Sequence, residues 1–111
     1  MTHYVLILAG GQGSRLNNTK IPKQFLNINK LPMLMYSIRT FKEADPKIKI
    51  YVGMQKKDTL TWGKLCQQHD FNIEHKIYSA GKQRFNTVSL GLEVICKDHG
   101  LKDGIVSIHD A

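Results

Sequence analysis

Apolar residues along this chain fall into two spacings. Tyr4-Val5-Leu6-Ile7-Leu8 is an unbroken apolar run, the pattern of a strand buried on both faces of a sheet. Ile48 to Gly53 predicts a second strand. The alternation from Phe71 to Tyr78 leads towards a third, and Ile105 to Ile108 predicts a fourth. Between them the spacing turns helical. Leu34, Ile38 and Phe41 follow Pro32, which is tolerated in a first helical turn, and Asp45-Pro46 ends that helix. Asp58 is placed to cap a second helix carrying Leu60, Trp62, Leu65, Cys66 and His69, and Phe85, Val88, Leu92 and Ile95 form a third stripe. Lys23 to Ile28 is short and partly apolar, with Asn29-Lys30 as a turn, and Gly100 to Gly104 reads as a loop. Strands separated by helices of this length make a parallel sheet with right-handed crossovers. The expected class is α/β, a Rossmann-like three-layer α/β/α fold with a mostly parallel sheet. No repeats or linkers interrupt residues 1–111, which read as part of a single domain.

Composition narrows the function. An apolar content of 41% with mixed charges belongs to a folded protein, and 111 residues allow a modest core. Sixteen basic against nine acidic residues give a net charge of +7, which favours anionic ligands. No run of five like charges occurs and the aromatics do not interleave with the basic residues, so a nucleic-acid surface is not indicated. Cys66 and Cys96 form no C-x-x-C pair and have no His at zinc-finger spacing, which reads as two small apolar residues in a reducing compartment. No window approaches 18 apolar residues and no secretory leader opens the chain, so no membrane partner and a cytoplasmic location are expected.

The chemistry gathers first after the opening strand. Ala9-Gly10-Gly11-Gln12-Gly13 is almost without side chains, which lets a ligand lie on the backbone and leaves successive N–H groups for an anion. Arg15, Lys20 and Lys23 follow, one a bidentate fork and two point charges suited to phosphate. The P-loop signature is missing, since no Gly-Lys-Ser/Thr occurs. The dinucleotide fingerprint is met at Gly11 and Gly13 but fails at Leu16, and no acidic residue follows about 20 positions later to hold a ribose. The loop reads instead as L-A-G-G-x-G-x-R-L followed by Ile21-Pro22-Lys23-Gln24-Phe25-Leu26.

Two further stretches stand out. Ala80 to Leu92 is a glycine turn before an amphipathic helix, in which Arg84 and Thr87, three apart, share one face of the first turn. A hydroxyl and free backbone N–H groups at a helix start suit a base or a phosphate. Ser107 to Ala111 ends in a His109-Asp110 pair at the carboxyl end of a strand, where open α/β sheets bind ligands. An intact protein would seldom stop in such a place, so the chain is expected to be the N-terminal part of a longer one. His109 reads equally as packing beneath that loop; His3, His69, His75 and His99 share no metal-ligand spacing and read as structural or surface residues.

Together these stretches resemble the sugar-phosphate nucleotidyltransferases. The P-K-Q-F-L ending, the G-x-x-R-x-x-T-V-x-x-G-L stretch at Gly81, Arg84, Thr87, Val88, Gly91 and Leu92, and the H-D-A ending are most similar to the 2-C-methyl-D-erythritol 4-phosphate cytidylyltransferases. The resemblance implies the nucleotide-diphospho-sugar transferase type of fold. It implies that Ala9, Gly10, Gly11 and Gly13 wrap CTP, and that Arg15 and Lys23 stabilise the transition state. Gly81 and Thr87 would contact cytosine, with Arg84 in the same stretch, and Asp110 would face the sugars. It implies Mg2+ carried mainly by the CTP phosphates, CTP and a polyol phosphate as partners, and a homodimer at full length. The A-G-G loop also resembles the ribitol-5-phosphate cytidylyltransferases, which share all three motifs. A nicotinamide-dependent oxidoreductase and a non-catalytic nucleotide-binding fragment remain alternatives from other classes.

Overall fold

The structure, a computed structural model, describes residues 2–10, 23–100 and 104–111. Gly11, Gly13 and Arg15 lie outside the described residues, and Lys23 is described through its backbone. Six strands and three helices follow one another: β1 (Thr2–Ala9), β2 (Asn27–Ile28), β3 (Leu31–Pro32), α1 (Met33–Ala44), β4 (Lys49–Met54), α2 (Thr59–Gln68), β5 (Lys76–Ser79), α3 (Arg84–His99) and β6 (Gly104–Asp110). The main sheet has the order β5-β4-β1-β6 and every pair in it is parallel.

That order decides where the helices go. Two right-handed crossovers in one direction, β1 to β4 and β4 to β5, put α1 and α2 on the same face. The return from β5 past β1 to β6 puts α3 on the other. The core divides accordingly. Val5, Ile7, Ala9, Ile50, Val52 and Met54 point from the sheet towards Leu34, Met35 and Ile38 of α1 and Trp62 of α2. Tyr4, Leu6, Leu8, Tyr51 and Tyr78 face Val88 and Ile95 of α3. The expected three-layer α/β/α arrangement is thus present. β1, with both neighbours in place, is buried from Tyr4 to Ala9; fully burying an aliphatic side chain such as Ile7 is worth roughly 1.5–3 kcal/mol.

Smaller elements depart from the pattern in the sequence. Lys23–Phe25 forms a 3-10 turn, held by Phe25 stacking on Trp62 at 5.7 Å between ring centres. The Asn29-Lys30 turn joins β2 to β3 as a two-residue hairpin, with φ of 49° and 79°, as the tight primed turns require. Asp58 stands at the helix start but makes no side-chain capping bond, and a 3-10 turn over Lys56–Asp58 precedes it. Leu60 is 70% exposed, so the buried side of α2 is carried by Trp62 instead. The third strand is confined to Lys76–Ser79; Phe71 and Ile73 pack against the core from irregular backbone.

Two corrections bear on function. The stripe on α3 is rotated from the one expected: Thr87, Gly91 and Ile95 are buried, while Phe85 is 64% and Leu92 40% exposed. Tyr78 explains the shift, because its phenol lies against the helix, donates to the Thr87 carbonyl at 2.8 Å, and leaves no space for a side chain at Gly91. β6 also runs past Ile108, since His109 and Asp110 continue the ladder opposite Ile7 and Leu8.

Candidate functional site

The strand order reverses between β1 and β6: the chain steps outward from β1 to β4 and β5 on one side, then returns to lay β6 on the other side of β1, so a crevice is expected at the carboxyl ends of these strands. Ala9-Gly10 lies there after β1, Gln55 after β4, Ala80-Gly81 after β5 and Asp110-Ala111 at the end of β6. Residues 10, 81 and 110, far apart in sequence, therefore share one edge of the sheet.

Backbone bonds start the assembly. Ala80 N–H donates to the Met54 carbonyl at 2.9 Å, and Ala111 N–H to the Leu8 carbonyl at 3.0 Å. Side-chain amides then hold the first loop. Gln24, 4% exposed, donates from Nε2 to the Ala9 carbonyl at 2.6 Å. Because the peptide is trans, the Gly10 N–H on the other side of that link points away from Gln24. Gln55 donates from Nε2 to the Gly10 carbonyl at 2.7 Å and to the Gly81 carbonyl at 3.4 Å. A Cβ on Gly10 would collide with the Ala80 methyl, so the two loops approach as closely as they do because Gly10 lacks one, while a Cβ on Gly81 would collide with Asn86 at the start of α3.

The helix start behind Gly81 is equally constrained. Gln83 and Asn86 form a reciprocal capping box, with Gln83 N–H donating to Asn86 Oδ1 at 3.2 Å. Thr87 is 4% exposed and its hydroxyl is engaged twice, accepting from Gly81 N–H at 3.0 Å and donating to the Gln83 carbonyl at 3.3 Å. Thr87 is thereby placed to hold the Gly81 loop from within. Arg84 reaches across the mouth to Asp110, with Nε 3.1 Å from Oδ1 and a terminal nitrogen 3.3 Å from Oδ2. Both side chains are well exposed, so this fork adds under about 1 kcal/mol to stability. Its effect is to orient the carboxylate. The expected shared face of Arg84 and Thr87 thus divides into an exposed arm and a buried brace.

Gln24 and Gln55 are the residues that sequence reasoning passed over. Gln24 stood inside the P-K-Q-F-L motif, and Gln55 directly after a strand, a position that itself marks the ligand end of a parallel sheet. His109 packs edge-on against Phe41, with ring centres 5.2 Å apart. Three of the other four histidines have structural partners: His3 pairs with Asp45, His99 lies 2.9 Å from the Tyr51 hydroxyl, and His75 accepts from the Trp62 indole at 3.0 Å, while His69 Nε2 is buried without a hydrogen-bond partner among the described residues. Burial holds the His75 pKa below its ordinary value. A cavity of about 850 Å³ opens at the opposite, amino ends of the strands. Its polar walls are largely self-paired: Asp98 accepts from Lys76 at 2.7 Å and from Tyr51 at 2.9 Å, and both bonds hold its carboxyl below the usual range.

Among the described residues no group of three or more His, Cys, Asp or Glu side chains could enclose a metal ion. Asp110 offers a carboxylate at the mouth, a donor set that fits magnesium held chiefly by a ligand's own phosphates rather than in a protein cage. Both cysteines are free thiols, and burial raises the pKa of Cys66. Among the described residues no helix is long and apolar enough to cross a membrane.

Comparison with known proteins agrees with this geometry. The fold is similar to that of the bifunctional IspDF from Campylobacter jejuni, with a TM-score of 0.71 at 24% identity, over 99% of this chain and 26% of that one. It is similar also to a 4-diphosphocytidyl-2C-methyl-D-erythritol synthase, with a TM-score of 0.69 at 19% identity, over 98% of this chain and 46% of that one. Curated proteins named 2-C-methyl-D-erythritol 4-phosphate cytidylyltransferase match from Bacteroides fragilis, 37% identical over 99% of this chain and 48% of the relative, and from Azobacteroides pseudotrichonymphae, 39% identical over 96% and 46%. The chain spans about half the length of these curated relatives. The model of the IspD family, 2-C-methyl-D-erythritol 4-phosphate cytidylyltransferase, matches residues 3–111. By that match the chain belongs to the 2-C-methyl-D-erythritol 4-phosphate cytidylyltransferase family.

Proposed function

We propose that this chain carries the CTP-binding part of an enzyme that transfers a cytidylyl group from CTP to 2-C-methyl-D-erythritol 4-phosphate. The products would be 4-diphosphocytidyl-2-C-methyl-D-erythritol and pyrophosphate, in non-mevalonate isoprenoid biosynthesis. The observation that carries the reading is the convergence of Gly10, Gly81 and Asp110 at the strand-order reversal, joined by Gln55 and the Arg84–Asp110 fork. In the reaction an oxygen of the acceptor phosphate attacks the α-phosphorus of CTP. A new P–O bond forms, and the bond from the α-phosphorus to the oxygen bridging it to the β-phosphorus breaks, so pyrophosphate leaves with that electron pair.

The residues divide the work. Ala9, Gly10, Gly11 and Gly13 offer backbone N–H groups to the triphosphate. Arg15 and Lys23 neutralise the charge that grows on the phosphates as the bond breaks. Gly81 presents its loop to the cytosine, with Thr87 bracing it, and Asp110, turned by Arg84, faces the sugar end. Mg2+, when bound with CTP, draws charge from the phosphates and fixes their geometry. The whole enzyme is read as a cytoplasmic homodimer.

The test is pyrophosphate release by the full natural polypeptide, given CTP and magnesium with 2-C-methyl-D-erythritol 4-phosphate in one reaction and ribitol 5-phosphate in another. Release with the first alone supports the proposal. Release with the second alone moves the enzyme to polyol-phosphate chemistry. CTP binding without release from either would leave a nucleotide-binding module.

A further inference from the structure

We propose that Gln55 is a positioning residue that sets the spacing between the phosphate-binding loop and the base-binding loop, and so selects ligands that span both. The inference rests on the reading above, in which the Gly10 loop takes the triphosphate and the Gly81 loop the base. One amide nitrogen carries two hydrogens, and Gln55 Nε2 directs its donors to two carbonyls that belong to different loops: Gly10 at 2.7 Å and Gly81 at 3.4 Å. Along the chain, residues 10 and 81 are separated by four strands, β2 to β5, and by α1 and α2.

The base of this bracket is rigid. Gln55 follows Met54, which is fully buried in β4, and the Met54 carbonyl itself accepts from Ala80 N–H at 2.9 Å. The Gln55 backbone is extended, with φ −62° and ψ 140°, and its side chain makes no capping bond to the 3-10 turn that follows. Each loop has its own separate anchor: Gln24 holds Ala9 on one side, and Thr87 holds Gly81 on the other. Removing Gln55 leaves both anchors in place, so each loop keeps its own shape. What is lost is the side-chain bridge between them, leaving their spacing to the packing of Gly10 against Ala80.

This separates a spacing role from a general structural one. A ligand that touches one loop is indifferent to the distance, whereas CTP, reaching from triphosphate to base, is not. Gln55→Met keeps the length and removes both donors. In the full natural polypeptide, isothermal titration should show the CTP dissociation constant raised about tenfold, the order expected for losing one to two hydrogen bonds of pre-organisation. Inorganic tripolyphosphate, which occupies only the first loop, should bind as it does to the unsubstituted protein. Equal losses for both ligands, or no loss for CTP, overturn the proposal. Tripolyphosphate binding without CTP binding in the unsubstituted protein would instead overturn the assignment of the loops.

Gln55→Glu gives an independent check should the Met variant fail to fold. Protonated, the introduced carboxyl retains one donor for the Gly10 carbonyl; ionised, it presents only acceptors to two carbonyl oxygens. The ratio of the variant's CTP affinity to that of the unsubstituted protein should therefore rise as pH falls from 8 towards 5. A flat ratio contradicts the spacing role.

Discussion

Lys23 sits on a 3-10 turn fixed by the Phe25–Trp62 stack and by the Gln24 bond to Ala9, so its backbone is held close to the first loop. A cation there matters most when charge builds up on the phosphates. Lys23→Ala in the full natural polypeptide should lower kcat by about 100-fold or more while raising the CTP dissociation constant less than tenfold. Equal losses in both would make Lys23 a ground-state phosphate ligand. Thr87→Val is predicted to act through Gly81: it keeps the volume and leaves the Gln83 carbonyl its bond from the residue 87 N–H, but strands the Gly81 N–H. A cost of about 1–3 kcal/mol is expected, readable as a lowered urea midpoint. Lys30, at φ 79°, carries the usual penalty of a side chain in the left-handed region, so Lys30→Gly should raise the midpoint, by about 0.5–1 kcal/mol. At this scale the sequence disclosed residue types and little of their partners. Gly10 drew notice because a bare loop after a strand is itself a local signal, whereas Gly81 and Asp110 drew it through the resemblance of their whole stretches to a known family. Gln24 and Gln55 were not, since a glutamine becomes informative only once the distant carbonyl it meets is known.

Elements were legible where one spacing dominated. β1, α1 and β4 fall close to where their apolar runs put them, because each buries its stripe against an unobstructed partner. α3 was misjudged by its most conspicuous residues, Phe85 and Leu92. A stripe containing Thr87 and Gly91 carries little hydrophobic signal, yet it is the side that the Tyr78 phenol allows to approach the sheet. Burial pushes that phenol up to about 12, so it stays a hydrogen-bond donor through the ordinary pH range. Gly91→Ala would drive a methyl to 2.5 Å from the Tyr78 oxygen and 2.7 Å from Leu6, and should destabilise by about 1–3 kcal/mol, measured by thermal unfolding. The segment leading into β5 carries the pH dependence. His75 accepts from Trp62 at Nε2, and its Nδ1 lies 2.7 Å from the Ile73 carbonyl, an arrangement that requires the neutral ring. Its folded pKa is lowered by burial below the unfolded value of 6.5. Its contribution to stability is therefore complete above about pH 6.5 and is lost as pH falls further, through the folded pKa. His75→Gln should flatten the acid limb of the stability curve between pH 7 and 5, and an unchanged limb would refute that assignment.

For the molecule as a whole, the consequential feature is the place of β6. It is paired along one edge with β1 and, among the described residues, has no neighbour on the other; Ile105 is 48% and Ile108 45% exposed. Taken as a separate 111-residue polypeptide, the protein should self-associate as concentration rises, and Ile108→Lys should reduce this in sedimentation velocity runs. Unchanged sedimentation would show that the edge is protected in another way. The parallel class follows from the alternation of apolar runs and helical stripes, but neither the strand order nor the exposure of β6 could be read from the sequence, since Ile105 to Ile108 has the composition of a buried strand. The β1–β6 pairing also has a consequence in time. Thr2 stands opposite Gly104 and Leu8 opposite Asp110, so β1 waits about a hundred residues of synthesis for its second partner. Loops of that length make such a pairing slow to close. β1 would first zip to β4 and hold one edge open until β6 docks. The mouth containing Gly10 and Asp110 would then come into being only when β6 docks, and competence to bind would wait on that one pairing.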